Sequence, residues 1–181
     1  YSVLHNNASE IAELSLRRIS KFAEEQSPAY AILSCAAVVE AYVDQVIDAL
    51  IDARALDSLG EFLLDKTLES IHGNWEERRN ILKVAFLVNV EGDTIATDFR
   101  VLIEARNALA HGNGSLTTRQ TKVAGKALGL QRSLYQVLSV STQGHRIIVG
   151  PNSGALAAEC ASRYLLAIDK RVSDLYPAMP F

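Results

Sequence analysis

Apolar residues fall at helical spacing along nearly the whole chain. Residues 8–25 place Ile11, Leu14, Ile19 and Phe22, with Ala12 and Ala23, on one stripe. Asn7 with Glu10 has the form of a capping box, so a helix is expected there, unwinding over residues 24–27 before Pro28. Residues 29–55 are the longest apolar helix candidate, from Ile32 and Leu33 through Val38, Val39, Val43, Val46 and Ile47 to Leu50 and Ile51. Their polar positions recur at every fourth residue as Glu40, Asp44, Asp48 and Asp52. Like charges at that spacing repel by about 0.2–0.5 kcal/mol per pair in an isolated helix. The plain reading of the row is the solvent edge of a core helix. The sharper one pairs Glu40 or Asp44, near the apolar middle, with a basic residue such as Arg106.

Periodicity is poor over residues 56–73, which hold Gly60 and Gly73, and predicts short helical pieces and loop. Asn74 with Glu77 forms a second capping box ahead of Trp75, Ile81, Leu82, Val84, Ala85 and Phe86, and residues 89–94 read as a turn around Gly92. A helix then runs from about Ile95 to His111. It stops at residues 112–115, where both glycines can take positive φ. Thr117 with Gln120 opens another helix from about Thr118, with Arg119, Lys122 and Lys126 on one face and residues 131–141 as its continuation; Gly125 and Gly129 weaken it or allow close packing. Residues 142–152 are the one strand-like stretch, expected as a short extended arm near 143–150. Asn152 or Ser153 caps a last helix to about Tyr176, with Leu156, Cys160, Tyr164, Leu165, Ile168, Val172 and Leu175 inward and Pro177 and Pro180 ending it. The pattern predicts an all-α bundle in a single domain over residues 1–181, with a core over 8–140 and a C-terminal helix over 153–176. The first residue is Tyr1 rather than Met, which leaves room for flanking domains.

Composition agrees with an ordinary soluble domain, 49% hydrophobic and 22% charged over 181 residues. Cys35 and Cys160 lie in apolar helical stretches and read as small buried hydrophobes, without the spacing of a zinc site or a disulfide framework. No uncharged apolar run reaches membrane-spanning length and no signal-peptide pattern is present, so a cytoplasmic protein with no membrane contact is expected. Charge changes the picture more. Residues 105–158 contain no Asp or Glu but six basic residues, Arg106, Arg119, Lys122, Lys126, Arg132 and Arg146, leaving −9 on the rest of a chain whose net charge is −3. Such a block is the footprint of a polyanion partner, or, more plainly, a solvated face or one that docks on an acidic protein.

Candidate chemistry gathers at residues 103–114. On a wheel of about 100° per residue, Arg106 points into the arc of Phe99, Leu102, Ile103, Leu109 and Ala110, where an unpaired charge is costly. Asn107 and His111, four apart, share a neighbouring face with Arg100 and Glu104. The last turn thus groups a guanidinium, an amide and an imidazole beside a chain break. His5, His72 and His145 are isolated and read as surface or turn residues; His145-Arg146, inside the basic block, is a candidate RNA contact. Residues 112–114 lack the strand that a phosphate loop requires, and no His, Asp or Glu set has metal-ligand spacing, so neither metal nor cofactor is expected.

The string Arg106-Asn107-Ala108-Leu109-Ala110-His111 resembles the Arg, polar, three residues, His motif of HEPN domains, the all-helical family named for higher eukaryotes and prokaryotes nucleotide-binding. The longer string over residues 106–120 is similar to the branch of ribonuclease toxins and phage-defence proteins, and the resemblance covers most of residues 8–140. It implies a metal-independent endoribonuclease with catalytic Arg106, Asn107 and His111, its motif helices facing each other across a homodimer, and an antitoxin or sensor as partner. Arg119, Lys122, Lys126 and Arg146 would bind the RNA. Some members carry a Tyr two residues after the motif His, modified by a partner nucleotidyltransferase; Asn113 stands here, so that route of control is not implied. Two rivals remain: a non-catalytic HEPN-like RNA- or nucleotide-binding or scaffold domain, and an interaction module that uses the acidic helix and the basic block.

Overall fold

The most apolar stretch of the sequence becomes helix α2 (Pro28–Asp52), and the other elements are laid around it in the computed structural model, which describes residues 8–54, 58–90, 92 and 94–178. Ser27 caps it by accepting a hydrogen bond from Tyr30 N at 3.4 Å, and Pro28 takes the first turn, where its missing N–H has no partner to lose. Buried residues at three- and four-residue steps, among them Ile32, Cys35, Val39, Tyr42, Val46 and Leu50, face neighbours on several sides. By length and composition alone α2 is apolar enough to cross a bilayer; here it is the central helix of the bundle.

Helices α1 (Glu10–Ala23), α5 (Thr94–His111) and α8 (Ser153–Leu175) pack on α2. The C-terminal helix belongs to this same core: Ala157, Cys160, Ala161, Tyr164, Leu165, Ile168 and Val172 are buried, and a Cβ on Gly154 would stand 3.1 Å from Ala31 Cβ. Leu175, expected inward, is exposed. Buried Asp169 ties three helices together, accepting from Tyr42 Oη at 2.9 Å, Ser9 N at 3.0 Å and Ser9 Oγ at 2.5 Å. Burial, and then the Asp169 charge, push the Tyr42 hydroxyl pKa well up. Ser9 is also the N-cap of α1, accepting from Ala12 N at 3.3 Å. Helix α1 is thus capped one residue before Glu10 through a tertiary bond; the expected Asn7–Glu10 box rests on Asn7, which, like His5 and Pro180, lies outside the described residues.

Residues 58–73 form one helix, α3 (Ser58–Gly73), rather than short pieces. Among its described side chains Phe62 and Leu63 are exposed and Ile71, near its end, is the buried one, so its periodicity is weak. Helix α4 (Trp75–Val84) is capped by Asn74, whose side chain accepts from Glu76 N at 3.0 Å. Trp75 leans on Phe99 of α5 and Tyr164 of α8, whose rings stack with centroids 4.1 Å apart.

The expected long basic helix is two helices, α6 (Thr118–Thr121) and α7 (Ala124–Leu138), separated by an extended Val123 at φ −122°. The Thr117–Gln120 capping box does form, and the Gln120 amide also donates to Glu104 O at 2.9 Å and Glu104 Oε2 at 2.5 Å, tying this turn to α5. Arg119, Lys122 and Lys126 consequently do not share a helix face. After left-handed Ser139, β1 (Val140–Gln143) and β2 (Arg146–Val149) pair antiparallel around Gly144-His145, a hairpin where an arm was expected. Val140 and Ile147 are buried against the bundle, while Arg146 and Ile148 face outward.

Candidate functional site

Helix α5 buries Phe99, Leu102, Ile103, Ala105 and Ala108, which sets Arg106 at the margin of the core, half-buried. Its guanidinium serves two directions at once. Nη1 lies 3.1 Å from Asn107 Oδ1 and 3.1 Å from His111 Nε2, while Nη2 reaches Glu40 Oε2 on α2 at 3.4 Å. The arginine is long enough to make the inward pair expected with Glu40 and to reach His111 as well. A guanidinium only donates, so Nε2 is the acceptor in this contact, which requires a neutral imidazole with its proton on Nδ1.

Asp44 does not pair with Arg106. It lies one turn along α2 and is gripped by buried Arg78 of α4, through Nε–Oδ1 at 2.6 Å and Nη2–Oδ2 at 2.8 Å. Arg78 also donates to the His72 carbonyl, which binds the end of α3 to the same point. Burial opposes the Arg78 charge, but the hydrogen bonds and charge of Asp44, with Glu40 behind them, hold its pKa above the ordinary arginine value. A further turn along, Asp48 Oδ1 lies 3.1 Å from His72 Nε2, in ion-pair range but out of line for a hydrogen bond. Three of the four acids of α2, Glu40, Asp44 and Asp48, are thus met in turn from α5, α4 and α3, while Asp52 is exposed. The solvent-edge reading gives way to an internal seam at Glu40 and Asp44 and holds at exposed Asp48 and Asp52.

The loop after His111 is held by backbone geometry. Gly112 is needed for space rather than for positive φ: a Cβ there would lie 1.8 Å from Ser115 O and 2.7 Å from Ala108 O. Positive φ falls instead on Asn113, at 49°, and Gly114, at 79°. Asparagine tolerates that region better than most residues. Residues 114–116 then add to the free edge of β2, with Leu116 N donating to His145 O at 2.8 Å and Ile147 N to Gly114 O at 2.9 Å. The hairpin therefore anchors the exit of the motif helix.

These elements surround a cleft of about 520 Å³ lined by Arg106, Asn107 and His111 together with Arg100, Arg119 and Trp75. Of the four cations expected to contact RNA, Arg119 lines the cleft. Lys122, just past α6, and Lys126 on α7 are exposed outside its lining, and Arg146 is exposed on β2 beside the motif loop. His72, expected as an isolated surface or turn residue, is half-buried and lines the cleft; His145 is exposed in the hairpin turn. Arg78, Trp75 and Gln120 also line it without having been singled out. On sequence Trp75 was an apolar position and Gln120 a cap, and nothing linked either to Arg106. Among the described residues no three His, Cys, Asp or Glu are grouped to hold a metal. Both cysteines are buried, and burial pushes each thiol pKa up to about 12.

The fold and the cleft define a helical domain with an arginine–histidine site at a helix end. No family model, curated relative or solved structure matches the chain.

Proposed function

We propose that the protein is a HEPN-type endoribonuclease of the toxin or phage-defence kind, cleaving RNA without a metal in the cytoplasm. The observation that carries the reading is the contact of Arg106 Nη1 with His111 Nε2 at 3.1 Å, beside Asn107, in an open cleft. Cleavage by internal transfer needs a base for the 2′-hydroxyl proton, cations for the phosphate and an acid for the leaving 5′-oxygen. An incoming phosphate takes the Arg106 donor, because a planar guanidinium grips phosphate oxygens well. That exchange releases the Nε2 lone pair to accept the 2′-hydroxyl proton. The 2′-oxygen attacks phosphorus, the bond to the 5′-oxygen breaks, and that oxygen is protonated, leaving a 2′,3′-cyclic phosphate and a 5′-hydroxyl. Asn107 orients the imidazole or the phosphate. The acid is the second His111 of a homodimer, which takes up a proton on Nε2 from solvent once its own Arg106 has turned to the phosphate and gives that proton to the 5′-oxygen; an antitoxin or sensor is the fitting control partner.

Labelled RNA incubated in the presence of chelator, wild type beside His111→Ala, tests this. The expected result is cyclic-phosphate ends from wild type and none from a folded His111→Ala protein. RNA that is bound by wild type but never cut would favour the rival reading, a binding or scaffold domain.

A further inference from the structure

A second cavity, of about 290 Å³, opens beside the cleft, and the two share Trp75 and Arg100 in their linings. Phe99 and Tyr164 also line the second cavity. Phe99 is 0% and Tyr164 3% exposed, and their rings stack at 4°, so this side is a rigid aromatic wall. Trp75 is tilted against both, at 4.9 and 5.8 Å between centroids, and remains half-buried. Arg100 stands on α5 six residues before Arg106, a rise of about 9 Å at helical pitch. It is exposed, and its Nη2 donates to Thr97 Oγ1 at 3.3 Å. The two cavities therefore place a cation, a tryptophan and the Arg106–His111 pair along one surface track.

We propose that the second cavity is a nucleobase subsite. A base next to the scissile phosphate packs on Trp75, and Arg100 holds the phosphate that joins the two cavities. The proposal deepens the RNA reading of the cleft and rests on it. Stacking on an aromatic ring accepts any base, since each has a π face, but requires the base to be out of a duplex. The site thereby selects single-stranded RNA over double-stranded RNA and imposes little preference among sequences.

Trp75 is the single tryptophan of the chain, so its fluorescence reports on this site alone. Wild-type protein is titrated with a short single-stranded 2′-O-methyl oligonucleotide, which binds but cannot undergo internal transfer. An abasic oligomer of equal length and a duplex are titrated alongside, with binding followed independently by anisotropy of an end label. Saturable quenching by the single strand is expected. The abasic chain and the duplex should bind about tenfold more weakly and leave the tryptophan signal unchanged, and Arg100→Ala should weaken the single strand by about tenfold. Equal quenching by the abasic chain, or binding of the single strand without a tryptophan response, overturns the subsite while leaving the RNA reading intact. Absence of binding by every oligomer, with no cleavage of natural RNA, overturns both.

Discussion

Arg106 Nη1 and His111 Nε2 stand 3.1 Å apart at the end of one helix, and this contact assigns the imidazole proton. Because arginine has no acceptor, this contact should hold His111 as the Nδ1–H tautomer in the free protein. Long-range proton–nitrogen correlation spectra read the tautomer directly. A dominant Nε2–H form would contradict the contact, and with it the exchange by which phosphate releases the base.

The acidic seam of α2 should be uneven in its contribution to stability. Asp44–Arg78 is bidentate, with the Arg78 side chain 8% exposed, so Arg78→Ala strands a carboxylate and should cost roughly 3–5 kcal/mol. Glu40–Arg106 is longer, at 3.4 Å, and its side chains are 17% and 28% exposed. Arg106→Ala should therefore cost only about 1–2 kcal/mol, between the surface and buried cases, while abolishing cleavage. Urea denaturation of the two variants decides it; a larger loss in Arg106→Ala would make that residue chiefly a structural ion.

Two glycines should respond in opposite senses. Gly112→Ala forces a methyl into the Ser115 and Ala108 carbonyls and should destabilise by several kcal/mol, roughly 2–4, with loss of activity as the loop shifts. Gly129, inside α7, has nothing within 4 Å of the added methyl. Gly129→Ala should raise stability by about 0.5–1 kcal/mol. Melting curves of both variants check the contrast, and a neutral Gly112→Ala would mean the loop is not packed as described.

The buried thiols predict both reactivity and an alkaline slope. Burial raises Cys35 and Cys160 from the ordinary 9.0 to about 12, so the folded protein keeps protons that the unfolded chain gives up. Their contribution is therefore full below pH 9.0 and falls as pH rises toward about 12. Neither thiol should react with a thiol reagent at pH 8 until denaturant is added, and Cys35→Ala should flatten the loss of stability with pH above 9.0. Rapid labelling of the native protein would refute this.

Arg119 and Lys126 separate the cleft from the outer basic surface. Arg119→Ala should weaken RNA binding more than Lys126→Ala does, since Arg119 lines the cleft. Each phosphate contact that is lost should reduce the salt slope by about one. Equal effects of the two variants in binding titrations at several salt concentrations would place the RNA track across α7 instead.

Hydrophobic period alone was enough to specify the helical class, the places of α2, α5 and α8, and the burial of both cysteines, because a buried face must repeat at the helical pitch wherever it meets a core. Asn107 and His111, four apart, were legible as neighbours for the same reason, whereas Arg106, five before His111 and on another arc, meets it through the reach of its own side chain. Tertiary structure decided everything that depends on distant partners. The cap of α1 at Ser9 is held by Asp169, 160 residues away, which no local pattern signals. The acids of α2 are indistinguishable by spacing, and their pairing with Arg106, Arg78 and His72 is set by where three other elements cross α2. α3 hid its helix because few of its described side chains meet the core, and the basic stretch broke after Thr121 where Gln120 is tied to Glu104. Trp75 reached the cleft through the packing of α4 on α5 and α8, a contact between residues far apart in the chain, which local periodicity cannot encode.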